Sequence, residues 1–204
     1  MKLLREILYK VEINSVVGNT SLSINKIEFD SRLISDGDMY IAITGVNVDG
    51  HSFISQAIKN GANCIVCEKI PDNKTDGVVY VNVKSSRKAL AIISSNYFDN
   101  PSSKLNLIGV TGTNGKTTIA TLLFDLYTEL EIKSGLISTV KISYDNKNFQ
   151  ANQTTPDSLS INRFLSEMVN SNVRYCFMEV SSHGIDQNRT DGLVFKGGIF
   201  TNLT

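Results

Sequence analysis

Gly109-Val110-Thr111-Gly112-Thr113-Asn114-Gly115-Lys116-Thr117-Thr118 decides the fold of this chain. It joins an apolar run, Leu105 to Val110, to a segment in which Ile119, Leu122, Leu123, Leu126 and Leu130 recur at helical spacing, so the order is strand, tight turn, helix. Glycines let successive backbone N–H groups curl around one anion-sized hollow, and the positive end of the following helix faces it. Lys116 would reach the β- and γ-phosphates of a nucleoside triphosphate, and Thr117 would offer its hydroxyl to Mg²⁺. The spacing is a variant of the common phosphate-loop pattern, because Val110 stands where the first glycine of that pattern belongs. A chance Gly-rich turn is the plainer alternative, and the strand-turn-helix setting weighs against it.

Strand-like and helix-like periods alternate on both sides of this turn, which predicts an α/β fold with mostly parallel sheets. Downstream, strands are predicted at 134–139, 174–180 and 198–202, with a helix that takes Thr155 as its N-cap and Pro156 at its first position. Upstream, strands are predicted at 38–44, 63–67 and 78–83. Helices are predicted at 52–60 and, with Ser85 as N-cap, from 85 to just before Asn100-Pro101. The polar stretch 99–104 lies between two apolar segments and serves as the linker, giving domains 1–103 and 104–204.

The 204 residues carry 20 Lys+Arg and 20 Asp+Glu, a formal charge of zero, and are 41% hydrophobic. That is the profile of a soluble globular chain, without a global field to draw nucleic acid or an anionic membrane. Arg5, Glu6, Lys10 and Glu12 interrupt the N-terminal apolar residues, so no signal peptide is predicted there. No later stretch is long and apolar enough to span a bilayer, and a cytoplasmic location is expected. The three cysteines, Cys64, Cys67 and Cys176, are then reduced thiols. Cys64 and Cys67 form a C-x-x-C string that could mean redox or metal chemistry. On a strand, however, residues three apart point to opposite faces, and no second pair completes a zinc site, so buried structural cysteines are expected.

Glu179 follows the apolar run Val173 to Met178, at the carboxyl end of a strand and beside the phosphate loop if the strands are parallel. A hard carboxylate oxygen there suits Mg²⁺, the alternative being a solvated strand end. Ser181, Ser182 and His183 lack the G-x-S-x-G elbow and a third partner, which argues against covalent catalysis.

The form Thr111-Gly-Thr-Asn-Gly-Lys-Thr-Thr118 resembles the loop of the Mur ligases and the related folylpolyglutamate synthetases. Asp30-Ser31-Arg32, Thr154-Thr155-Pro156-Asp157, Met178 to Gly184 with Gln187 and Arg189, and the ending Phe200 to Thr204 extend the resemblance over nearly the whole chain. It implies a small N-terminal α/β UDP-substrate domain followed by an incomplete P-loop type parallel-sheet ATPase domain. The implied activity is an ATP- and Mg²⁺-dependent amide ligase of peptidoglycan precursor synthesis. Such an enzyme adds a diamino acid, diaminopimelate or lysine, to UDP-N-acetylmuramoyl-dipeptide through an acyl phosphate.

By the same resemblance Gly112, Thr113, Asn114, Gly115, Lys116, Thr117 and Thr118 hold ATP, and Lys116 and Glu179 are catalytic. Thr117 and Glu179 hold the metal. Phe29, Ser31, Val46, Asn47 and Val48 line a uridine site, and Gln153, Thr154, Thr155, Ser181, Gln187 and Arg189 contact the muramyl-peptide. Gln153 stands where many relatives are expected to have Asn. Family members continue past the equivalent of Thr204 and are expected to act as monomers, so this chain is expected to be a fragment inactive alone. A small-molecule P-loop kinase and a non-catalytic nucleotide-binding module are the rival readings.

Overall fold

Asp99 and Asn100 turn the backbone with positive φ, 61° and 52°, and the division between two compact units, Met1–Tyr97 and Phe98–Thr204, falls just before them. The computed structural model describes residues 1–45 and 48–204. The division comes earlier than the predicted 103/104 boundary, and the reason is local. Pro101–Ser103 form a 3₁₀ turn in which Pro101 and Ser102 are buried, and Ser102 Oγ accepts a hydrogen bond from the Val194 amide at 3.0 Å. The polar composition of this stretch caps a packed turn of the second unit.

The first unit runs β1 (Lys2–Leu3), α1 (Leu4–Ile7), β2 (Ile13–Val17), β3 (Ser23–Ile24), β4 (Ile27–Glu28), β5 (Met39–Ile41), α2 (Ile54–Lys59), β6 (Cys64–Cys67), β7 (Val79–Val83) and α3 (Ser86–Tyr97). Its main sheet has the order β2-β7-β6-β5-β4, with β4 to β7 parallel and β2 antiparallel at one edge. Tyr40, Ala57, Ile65 and Tyr80 are among the residues of a buried cluster between sheet and helix α2. The helix predicted at 52–60 is shorter than its pattern suggested. Asp49 caps a 3₁₀ turn at Gly50–Phe53 through the His51 amide before the α-helix begins. Cys64 and Cys67 are both buried and free on β6, and burial pushes the Cys67 thiol up to about 11, so neither is poised as a thiolate.

The second unit continues with β8 (Asn106–Thr111), α4 (Lys116–Glu129), β9 (Ser134–Ile137), β10 (Lys141–Tyr144), β11 (Lys147–Gln150), α5 (Ser158–Asn170), β12 (Tyr175–Glu179), α6 (Ser182–Asp186) and β13 (Gly197–Phe200). The sheet order is β11-β10-β9-β12-β8-β13, parallel except for the β10-β11 hairpin at one edge. Strand alternation divides the core between the two faces. Leu107, Cys176 and Met178 pack with Ile161, Leu165 and Met168 of α5, whereas Val110 and Phe177 pack with Ala120 of α4. Counting in twos along β12 from Tyr175 and Phe177 puts Glu179 on the α4 face.

Two helix expectations change. The stripe predicted along α4 divides, with Ile119 and Leu123 packing on the sheet alongside Phe124 and Tyr127, while Leu122, Leu126 and Leu130 are 59%, 53% and 59% exposed. The helix hangs from the phosphate loop and must turn Thr117 toward Glu179. At 100° per residue this carries Ala120, Phe124 and Tyr127 round to the sheet and Leu122 and Leu126 away from it. Helix α5 starts at Ser158, two residues later than predicted, because Asp157 is the N-cap and accepts from the Ser160 amide at 2.8 Å. Thr155 is thereby released for other bonds.

Candidate functional site

The loop between β8 and α4 is closed by two glycines in conformations that L side chains rarely adopt, Gly112 at φ 132° and Gly115 at φ 82°. Gly115 is the N-cap of α4 and brings no side chain to it, so the first-turn amides of the helix have no capping oxygen from that residue and are left to face an anion at the helix start. Not all of the loop's amides point there. Thr113 N donates to Asn202 O at 2.9 Å and Asn114 N to Asn202 Oδ1 at 3.1 Å, while Asn202 Nδ2 donates back to Asn114 O at 3.1 Å. Thr201 Oγ adds a bond to Asn114 O at 2.6 Å. The segment after β13 therefore laces the loop shut. Lys116 Nζ donates to Gly112 O and Thr113 O at 2.7 and 3.0 Å, which arches it over the same loop.

Glu179 is fully buried at the end of β12 and accepts from three neutral donors. Thr117 Oγ donates to Oε2 at 3.0 Å, Thr139 N to Oε1 at 2.8 Å and Thr139 Oγ to Oε2 at 3.2 Å. These donors are hydroxyls and an amide, none of them cationic, so a cation is the kind of partner that this buried carboxyl group lacks among them. Thr117 and Glu179 thus converge two hard oxygens of the kind a divalent cation takes, and the pair fits Mg²⁺. Among the described residues no group of three or more His, Cys, Asp or Glu could hold a metal by itself. An ion here would complete its shell with phosphate oxygens and water, as Mg²⁺ does in nucleotide sites.

On the next side Thr155 Oγ, fully buried, donates to Glu179 O at 2.9 Å and accepts from Ser181 N at 2.9 Å. Ser181 Oγ caps α6 through Gly184 N at 3.1 Å, and His183 is exposed on that short helix, so Ser181 serves as a structural cap here. Thr154 Oγ lies 3.0 Å from Thr139 Oγ. The Thr139 hydroxyl, with one proton, thus has two acceptors within reach, Thr154 Oγ and Glu179 Oε2 at 3.2 Å. Arg189 donates from Nη1 to Gln153 Oε1 at 2.5 Å and to Thr155 O, and from Nε and Nη2 to Gln187 Oε1 at 3.1 and 2.7 Å, which fixes the plane of its guanidinium.

The structure thus brings together the expected loop residues Gly112 to Thr118, Glu179, Thr154, Thr155, Ser181, Gln153, Gln187 and Arg189 at the carboxyl ends of β8, β9 and β12, where open parallel sheets receive ligands. Sequence reasoning missed Thr139 and the loop-tying role of Asn202. The cue for Thr139 was its place as the last residue of the strand predicted at 134–139, but only the strand order makes β9 the neighbour of β12. In the first unit Phe29 and Ser31 follow β4, and the segment holding Val48 follows β5, its parallel neighbour, so they share one edge. Ser31 is buried and its carbonyl accepts from Asn60 Nδ2 at 2.8 Å, whereas Val48 is exposed. The Arg32 guanidinium, hydrogen-bonded to Asp30, holds that carboxyl below its ordinary range. Val46 and Asn47 lie outside the described residues.

Residues 110–204 match the family described as Mur ligase middle domain, and residues 23–98 match the one described as Mur ligase family, catalytic domain. The chain belongs to the Mur ligase family. Among curated relatives this Mur ligase chain is 48% identical over 202 residues to UDP-N-acetylmuramoyl-L-alanyl-D-glutamate--2,6-diaminopimelate ligase of Cytophaga hutchinsonii, covering 98% of this chain and 42% of the relative. It is 45% identical to the ligases of the same name from Bacteroides thetaiotaomicron, covering 99% and 42%, and Clostridium tetani, covering 98% and 42%. The chain spans about two fifths of the length of these relatives. A solved structure of a ligase of that name superposes with TM-score 0.80 at 22% identity, covering 100% of this chain and 41% of that one. The MurF ligase of Thermotoga maritima in complex with ADP superposes with TM-score 0.52 at 25% identity, covering 77% and 32%. Among the described residues no helix is long and apolar enough to cross a membrane.

Proposed function

We propose that this Mur ligase chain supplies the UDP-substrate domain, residues 1–97, and part of the ATP-binding domain, residues 98–204, of an amide ligase in peptidoglycan precursor synthesis. The reaction joins 2,6-diaminopimelate, the amino acid named for the three relatives, to UDP-N-acetylmuramoyl-L-Ala-D-Glu. The observation that carries this reading is the meeting of Thr117 with a buried Glu179 at the mouth of a parallel sheet, 3.0 Å apart, beneath a loop of phosphate-binding form. The ADP named for the Thermotoga relative supports ATP as the nucleotide.

In this reading the first-turn amides of α4 and the Lys116 ammonium hold the β- and γ-phosphates, and Lys116 offsets the charge that gathers on the transferred phosphoryl group. Lys116 exchanges its bonds to Gly112 O and Thr113 O for phosphate oxygens as it does so. Thr117 and Glu179 hold Mg²⁺, which supplies electrostatic stabilisation of the phosphate oxygens. Thr154, Thr155, Ser181 and Arg189 border the side from which the substrate's terminal carboxylate would approach that phosphoryl group to give an acyl phosphate. Holding the two reactants in register is where most of the rate would come from. Phe29, Ser31 and Val48 receive the uridine end of the substrate in the first unit, and the enzyme works in the cytoplasm, where its nucleotide substrates are.

Calorimetry on the 204-residue chain tests this directly. UDP-N-acetylmuramoyl-L-Ala-D-Glu and a non-hydrolysable ATP analogue with Mg²⁺ should each bind, and the triphosphate should bind more tightly with the metal than without it. Heat changes no larger than dilution for both ligands would end the proposal.

A further inference from the structure

Thr139 is not needed for the turn it sits in. That turn, between β9 and β10, is held by Ser138, whose hydroxyl donates to Lys141 O at 2.9 Å and accepts from the Val140 and Lys141 amides at 3.3 and 3.2 Å. Thr139 is exposed, and its side-chain bonds cross to other elements: Glu179 Oε2 at 3.2 Å on β12 and Thr154 Oγ at 3.0 Å ahead of α5. Its amide also goes to Glu179, at Oε1 and 2.8 Å.

We propose that Thr139 is a positioning residue that grips the Glu179 carboxylate from the turn after β9 and presents Oε2 to Thr117 and the metal of a bound nucleotide. The inference deepens the ligase reading and rests on it. A carboxylate at a strand end can swing about its terminal torsion, whose wells are broad. The Thr139 amide anchors Oε1, and its hydroxyl meets the same oxygen that Thr117 touches, so the plane of the carboxylate is set from the side opposite the loop. A backbone amide survives any substitution, which leaves the hydroxyl as the part a variant can remove.

The test compares Thr139→Val with Thr139→Ser in the 204-residue chain. Binding of a non-hydrolysable ATP analogue is measured by calorimetry across a Mg²⁺ titration, with one series in EDTA. Loss of a hydrogen bond to a charged group at an exposed position should raise the Mg²⁺ concentration for half-maximal tightening about tenfold in the Val variant. The Ser variant should stay within about twofold of the parent, and nucleotide affinity in EDTA should be the same for all three. A residue that only shaped the turn would shift the melting temperature or the EDTA affinity and leave the Mg²⁺ midpoint alone, and that result would overturn the assignment. So would equal midpoints in all three chains. Thr139→Ala, which lacks the branched methyls, repeats the comparison should the Val chain not fold. A parent chain that binds no Mg²⁺-nucleotide at all would bring down the ligase reading and the assignment with it, and the parent series separates that case from the others.

Discussion

Replacing Lys116 by Ala will lower the affinity of this chain for Mg²⁺-triphosphate by at least about tenfold. In a ligase containing it, turnover will fall by about two to three orders of magnitude, the usual scale for removing a group that meets charge developing in a transition state. The fold will survive, because among the described residues Lys116 Nζ bonds only to loop carbonyls, Gly112 O and Thr113 O, and alanine is the better helix former at the first position of α4. Losing the ammonium removes the one side-chain charge placed within the loop. Equilibrium dialysis with labelled nucleotide, paired with far-ultraviolet circular dichroism, reads both halves. Equal nucleotide affinity in a folded Lys116→Ala chain would disprove the role.

Gly112→Ala will be the most damaging small substitution in the second unit, at about 3 kcal/mol, combining a strained backbone conformation with overpacking. A Cβ at Gly112 would stand 2.2 Å from Thr201 Oγ1, 2.8 Å from Asn202 O and 3.0 Å from Asn202 N, at a φ of 132°. It would collide with the segment that laces the loop shut. Gly115→Ala makes the control: φ is 82°, but the nearest atom is Thr201 Cβ at 4.0 Å, so only the conformational part is lost, about 1 kcal/mol. Urea unfolding of each chain, followed through the near-ultraviolet signal of Tyr127, Tyr175 and Phe177, ranks the two. Similar midpoints for Gly112→Ala and Gly115→Ala would show that the close approach to Thr201 and Asn202 does not constrain the loop.

The parts of the fold written in local pattern were readable from the sequence: the strand before the loop, the loop itself, and the alternation that makes the sheets parallel. Glu179 could be placed because a charged residue closing an apolar run marks a strand's end. What depends on tertiary geometry was not readable. Leu122, Leu126 and Leu130 share helical spacing with Ile119 and Leu123, yet the rotation of α4 is set by Thr117 meeting Glu179, a contact between residues far apart in the chain. Thr155 before Pro156 has the form of a helix start, and Asp157 competes for that place and wins with a better acceptor. Asn202 bonds to Asn114, 88 residues earlier in the chain, and no local rule reveals such a tie.

Glu179 is also a hub. Its carboxylate takes Thr117 and Thr139, its carbonyl takes Thr155, and its register partner on β8 is Val110. Substitutions at Thr117, Thr139 and Thr155 therefore all act on one residue, and their effects will not sum. The first to loosen Glu179 will take most of the available loss, and the second will find less left to remove, a departure from additivity of at least about 0.5 kcal/mol for groups that share a network. A double-mutant cycle of Thr117→Val and Thr139→Val, read by Mg²⁺-dependent nucleotide affinity, measures it, and strict additivity would mean the two hydroxyls act on Glu179 independently. For a lineage drifting through sequence space the consequence is historical contingency: whichever of these hydroxyls is lost first determines how freely the others may change, so the positions vary as a set.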